Sequence, residues 1–413
     1  MHADVVTSID EFTPASSKEL SRFTAENARG ARQPVIPVGG RTSLNYGCPV
    51  SGETRLVSSA QLCEPVDYPA RDMTITVGAG IRMDRLRELL KAEGQQLPID
   101  VSQSQRATLG GVAATNTSGP RRFGYGTLRD YVIGLSAVDA GGRLFRSGGR
   151  VVKNVAGYDL CKLLVGSLGT LAIITELTLK LKPLPETSSL VWVAVEKLSA
   201  IEEMLQRLTT SAARPVILEA LNPAAARHVA GEAKLTLTGD GPVLIVGVEG
   251  SQNDVGWQVD ALRRELESAR PAAINVVRDK QADQLMKSLT EYQVLADDPL
   301  TFHANVRPSR TIAFVEQATQ AGIAIQAHAG NGIVIGHLSD ASATVDRAAE
   351  ILAPLRALAQ AGGGNLVILN CEPDWKRKLP VFGAPPPSWD LMRRVKTQLD
   401  PHDLLSPGRL FGQ

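Results

Sequence analysis

From about Ser17 to Pro185 the chain alternates short apolar, β-rich runs with glycine-rich turns: PVIPVGG, TRLVSS, MTITVGAG, YVIGLSAVDAGGRLFRSGG and TLAIITELTLKLKPLP. Runs of this length, bounded by glycine, predict strands. One clear helix interrupts them, with Asp84 placed to cap it, Leu86, Leu89 and Leu90 forming an apolar stripe, and Gly94 stopping it. The stretch PLPETSSL, residues 183–190, marks a boundary, because proline on both sides of Leu184 cannot continue a central strand. Beyond it, LVWVAVEK, PVILEAL, PVLIVGVEG and AINVVRD alternate with helical patterns, and Val255, Val259, Leu262 and Leu266 share one helix face. The pattern runs on through GIAIQAHAGNGIVIGHL, an Ala-rich helix from about Ser342 to Gln360 containing Pro354, and NLVILN. It predicts a second α+β layer, an open sheet with helices on one face. The prolines of residues 371–389 then predict a linker crossing back to the first domain, followed by a short helix, a turn and an Arg-bearing tail.

A length of 413 residues fits two domains, and the expected division is 1–186, 187–370 and a returning segment 371–413. Lys and Arg number 44 against 43 Asp and Glu, without a long run of one sign, which argues against a nucleic-acid groove or a polybasic membrane patch. Cys48, Cys63, Cys161 and Cys371 lie far apart with no C-x-x-C spacing. That spacing argues against an iron-sulfur cluster, a zinc site or a disulfide scaffold and for reduced thiols in a cytosolic protein. The N-terminus has no signal-peptide core, and no apolar run approaches a membrane span. The expected location is cytoplasmic, with any membrane attachment peripheral and through partners.

Three stretches carry candidate chemistry. In PVIPVGGRTSLNYG a strand ends at Gly39 and Gly40 and then presents Arg41, Thr42 and Ser43. Successive N–H groups in such a turn form a nest for phosphate oxygens, although an ordinary glycine turn reads the same way. In ATLGGVAATNTSG the small residues Thr108, Gly110, Gly111, Thr115, Asn116, Ser118 and Gly119 adjoin a short helix starting near Gly110. Free N–H groups at its start suit a diphosphate, and a surface loop is the alternative. In GGRVVKNVAGYDLCKLLVGSLGTL, Arg150, Lys153, Asn154 and Asp159 sit among glycines and apolar residues, either bridging loop carbonyls or facing a bound group. VGAGIRM lacks the third glycine of a dinucleotide fingerprint, and no P-loop occurs.

Taken in order, PVGGRTSL, ATLGGVAATNTSGPRRFGYGTLRDYVIGL, GGRVVKNVAGYDLCKLLVGSLGTLAIITE and LDPHDLLSPGRL resemble the vanillyl-alcohol-oxidase/PCMH-type FAD-binding oxidoreductases. Within them the chain looks most like the FAD-binding E subunits of glycolate oxidases. The resemblance is close over residues 30–186, clear over roughly 388–410 and weak between. It implies an α+β fold: a PCMH-type FAD-binding domain of two α+β subdomains and an α+β cap domain with an antiparallel sheet. By position, Val38, Gly39, Gly40, Arg41, Thr42 and Ser43 would hold the pyrophosphate. Asp100, Thr108, Gly110, Gly111, Thr115 and Gly119 would meet the ribityl, pyrophosphate and ring edge, and Gly169 and Ile174 the adenine end.

Two departures refine these expectations. Relatives with covalent FAD carry histidine after the paired glycines, where this chain has Arg41, so the FAD is expected to be noncovalent; a guanidinium can pair with phosphate. Metal-dependent relatives carry a run like H-x-G-D-G-N-x-H, whereas this chain reads HAGNGIVIGH. Asn331 replaces the acid, Ile335 stands where the second histidine belongs, and His337 comes two residues late on the same strand face, so no metal site is expected. Oxidation of a small 2-hydroxy acid needs a base and a carboxylate anchor, for which His328 and Arg307 are the candidates. The resemblance also implies partners: a paralogous flavin subunit better equipped for substrate, and an iron-sulfur subunit. Two alternatives stay open, a flavin-fold assembly or electron-relay subunit without turnover, and a free-standing D-lactate-type dehydrogenase.

Overall fold

A computed structural model of the chain describes residues 8–50, 52–150, 158–236, 239–295 and 298–412. These fall into two compact units, one drawn from residues 3–117, 127–184 and 384–413, the other from 118–126 and 185–383.

Among the described residues the first unit holds ten strands: β1 (Ser8–Phe12), β2 (Val35–Val38), β3 (Thr54–Ser58), β4 (Pro65–Asp67), β5 (Thr74–Gly78), β6 (Gln95–Gln96), β7 (Val132–Val138), β8 (Leu144–Gly148), β9 (Ile173–Lys180) and β10 (Lys182–Pro183). β1, β3 and β2 form a parallel sheet in that order, and an antiparallel sheet runs β4-β5-β9-β7-β8. Leu20 of the helix Ser17–Arg29 meets Val35, Val57, Val138, Ile173 and Leu405 in one apolar cluster. Each such fully buried aliphatic side chain contributes about 1.5–3 kcal/mol relative to exposure. The outer edge of β2 is closed by the returning tail: Val35 N–H donates to Leu404 O at 2.8 Å, and Ser406 N–H to Val35 O at 2.9 Å. The helix read around Asp84 spans Met83–Ala92 with Leu86 and Leu90 buried, but Arg82, not Asp84, is its N-cap. Asp84 lies in the first turn, where its carboxylate instead accepts from Arg85 N–H and pairs with Arg82.

The second unit adds β11 (Thr187–Ala194), β12 (Ile217–Leu221), β13 (Val243–Gly250), β14 (Ala273–Arg278), β15 (Leu300–Asn305), β16 (Ala324–His328), β17 (Ile333–Leu338) and β18 (Asn365–Cys371). They form one antiparallel sheet ordered β14-β11-β13-β12-β16-β17-β15-β18. Successive side chains point to opposite faces, yet Leu190, Val191, Trp192 and Val193 are all buried. Helices therefore cover both faces there, not one. Leu190, Trp192, Ile217 and Ile245 pack with the helices Pro223–Glu232 and Asp279–Glu291. The helix Gln252–Glu267, also packed on β11 and β13, adds none of its apolar side chains to that cluster and covers the opposite face.

Two boundaries differ from the sequence reading. Residues 371–383 stay with the second unit, because β18 ends at Cys371 and Ile368 N–H donates to Val381 O at 2.9 Å, so the return begins at Ala384. Ser118–Gly126, expected inside the first domain, also belongs to the second unit, fixed by Gly124 N–H donating to Val216 O at 3.0 Å and by Arg121 and Tyr125 bonding Glu249.

Candidate functional site

In the first unit an open cleft, about 810 Å³ counting its mouth, lies beside the end of β2. It brings together Val38, Gly39, Gly40, Arg41, Thr42, Ser43, Thr108, Gly110, Gly111, Thr115, Gly169 and Ile174. Asp100 is buried off its wall, and Gly119 belongs to the other unit. The glycines act differently from the sequence reading. A Cβ on Gly39 would stand 2.0 Å from Thr108 Oγ1, and one on Gly40 would stand 1.7 Å from the Arg106 carbonyl oxygen. Their missing side chains admit the neighbouring 106–108 turn rather than a ligand.

The N–H groups sharpen the distinction. At the start of the helix Leu109–Thr115, Leu109 and Gly110 donate to Ile81 O and Ala79 O, and Gly111 N–H points to Thr108 Oγ1 at 3.4 Å. The donors expected to be free there are taken. By contrast, no backbone N–H from Gly39 to Leu44 donates to a backbone carbonyl among the described residues. A row of unengaged N–H groups around the left-handed Arg41 (φ 57°) is what a phosphate group takes. The wall holds two cations, Arg41 and Arg409, and no acid. The Arg41 guanidinium already has a counter-charge: it pairs with Glu11, both side chains more than a third exposed. Ser167, Leu168 and Arg409 also line the cleft and were not assigned from sequence.

The third stretch resolves in part. Arg150 pairs with Asp67, and Asp159 caps the helix Leu160–Leu164 by accepting from Lys162 N–H at 3.1 Å. Lys153 and Asn154 lie outside the described residues.

The second unit carries its polar groups on one sheet face. Glu219 on β12 stands opposite His328 on β16, and His328 Nδ1 lies 2.6 Å from Glu219 Oε1. Gln326 Nε2 donates to the other carboxylate oxygen at 2.7 Å. All three are buried. A carboxylate accepts, so the pair places the ring hydrogen on Nδ1 and leaves Nε2 as the basic nitrogen. His303 on β15 shares the face, since both it and Gln326 pair with Ile335. Burial pushes its pKa down to about 3, with His328 and Arg122 adding to the shift. Arg122 comes from the 118–126 segment, whose Phe123 fits against Gly330; a Cβ there would stand 2.3 Å from the ring.

The other assigned groups are placed differently. His337 is fully buried, its Nδ1 2.9 Å from Asp298 Oδ2 and its ring edge-on to Tyr292. Arg307 is exposed just beyond β15. No group of three or more His, Cys, Asp or Glu among the described residues is arranged for a metal ion, and none of their helices is long and apolar enough to cross a membrane.

Residues 11–148 match the FAD binding domain family and residues 383–410 the C-terminal domain of FAD linked oxidases. The chain thus carries an FAD-binding domain of PCMH-type fold and is similar to FAD-linked oxidoreductases. The fold is that of p-cresol methylhydroxylase, at a TM-score of 0.73 and 14% identity over 97% of this chain and 88% of that one. Glycolate oxidase subunit GlcD of Bacillus subtilis is 29% identical over 97% of this chain and 88% of its own length. Subunit GlcE of Escherichia coli is 36% identical, but over only 38% of this chain and 45% of its own length. Likeness to an E subunit is thus local, while likeness to a D subunit spans both units.

Proposed function

We propose that this chain oxidises a small 2-hydroxy acid, glycolate or a close relative, to the 2-oxo acid, as the flavin subunit of a glycolate-oxidase-type complex. The buried Glu219–His328 pair carries the reading. FAD, bound noncovalently, supplies the hydride acceptor. The N–H row from Gly39 to Ser43 holds its diphosphate, with Val38, Thr108, Gly110, Gly111 and Thr115 along the cleft and Gly169 and Ile174 at the adenine end.

His328 Nε2 takes the hydroxyl proton, and Glu219 stabilises the imidazolium that results while fixing the ring's orientation. Arg122 replaces Arg307 as the carboxylate partner, because it shares the surroundings of His303 and His328. Neutral His303 adds a donor without repelling the protonated base. Electrons leave through an iron-sulfur partner, a reading supported by the wide spacing of Cys48, Cys63, Cys161 and Cys371, none of them in a C-x-x-C pattern.

The test is the visible spectrum of the purified holoprotein under anaerobic glycolate and then D-lactate. The flavin is expected to bleach, and His328→Asn to slow bleaching by about 100-fold or more with FAD content unchanged. A flavin that stays oxidised with both acids would leave this chain an assembly or relay subunit.

A further inference from the structure

The cleft contains a cation whose position calls for an anion. Arg409 is 5% exposed and lines the cleft. Its NH1 donates to Tyr46 O at 3.3 Å, its buried Nε has no partner, and no carboxylate lies within ion-pair distance of it among the described residues. Burial pulls its pKa down to about 10, so it remains a cation at neutral pH. An uncompensated buried charge is costly, by several kcal/mol, unless a counter-charge reaches it.

The tail holds the guanidinium in place. Arg409 O accepts from Cys48 N–H at 2.8 Å, and Arg409 N–H donates to Ser406 O at 3.2 Å. Ser406 in turn is bonded to Val35 O and, through its hydroxyl, to Gly169 O. Gly47 leaves the room for this: a Cβ there would stand 2.8 Å from Arg409 Cγ. The side chain is thus anchored beside the unengaged N–H row of Gly39–Leu44, in a wall without acids.

We infer that Arg409 is the charge partner of the FAD diphosphate, the role that sequence alone gave to Arg41. The N–H row supplies directional donors, Arg409 supplies the neutralising charge, and Arg41 stays paired with Glu11. The assignment rests on the cofactor and is independent of the substrate.

The experiment is FAD binding to apoprotein, followed by flavin fluorescence quenching, with ADP, AMP and adenosine as competitors. Wild type is expected to bind ADP at least tenfold more tightly than AMP. Arg409→Met should weaken FAD by about thirtyfold and abolish the preference for ADP. Arg409→Lys, which keeps the charge and loses the fork, should recover part of both. Circular dichroism of the variants checks that they fold, and if Arg409→Met does not, Arg409→Lys with its competitor series decides. Unchanged FAD affinity and an intact ADP preference in the variants would overturn the assignment while leaving the cofactor in place. Failure of wild-type apoprotein to bind FAD would overturn the cofactor reading beneath it.

Discussion

The cleft of the first unit and the histidine face of the second are built from opposite materials. The cleft is built largely on main chain: Gly39 and Gly40 are defined by side chains they lack, and the groups it offers a ligand are N–H donors common to nearly all residues. The histidine face consists of side chains whose backbones are ordinary strand, and Glu219, His328 and His303 meet because register puts them on one surface. A main-chain site is broken by added volume. A side-chain site is broken by a change of charge at constant volume.

Volume should give the largest effect. Gly40→Ala drives a Cβ into the Arg106 carbonyl. It is expected to cost the first unit roughly 1–3 kcal/mol and most of its FAD, read by melting temperature and by the ratio of flavin to protein absorbance. A variant with wild-type flavin content would mean that the two turns need not approach so closely.

Charge should give the next effect, and only in acid. In the folded protein burial holds the His303 pKa at about 3 against an ordinary histidine value of 6.5, so below 6.5 the unfolded chain takes up a proton that the folded chain refuses. Stability should fall as pH drops from 6.5 towards 3, by roughly 1–2 kcal/mol at pH 4 after allowing for the partial exposure of the ring. His303→Asn should flatten that part of a urea-midpoint profile and leave the midpoint at pH 8 nearly unchanged. Equal acid sensitivity in the two proteins would show that the proton goes elsewhere.

The smallest effect tests a side chain at the mouth of the main-chain site. Arg41→Ala removes a half-exposed ion pair and should change stability by less than about 1 kcal/mol and FAD affinity by about twofold at most. A loss as large as that expected for Arg409 would return the phosphate role to Arg41.

The same contrast decides what could be read from the sequence. Paired glycines after a strand and Thr-Leu-Gly-Gly at a helix start are local patterns, and the residues so assigned gather around one cleft, Asp100 and Gly119 excepted. Local pattern could not say which N–H groups are engaged, because the acceptors Ile81 and Ala79 lie some distance back in the chain. It left Glu219 unassigned, since a lone acid in PVILEAL gains meaning only when β12 pairs with β16. Arg409 had a signal, an arginine in a Pro-Gly turn near the tail, but its burial depends on the clip to β2.

That clip also sets a timetable. β2 leaves the ribosome roughly 370 residues before Leu404–Ser406, which at about 5–20 residues per second is a wait of roughly 20–70 s. Throughout it, one rim of the parallel sheet lacks its native cover, and the guanidinium destined for the cleft has not been made. A nascent chain of this protein should therefore be most prone to strand-to-strand aggregation while its second unit is being translated, and flavin should be captured tightly only after the tail has docked.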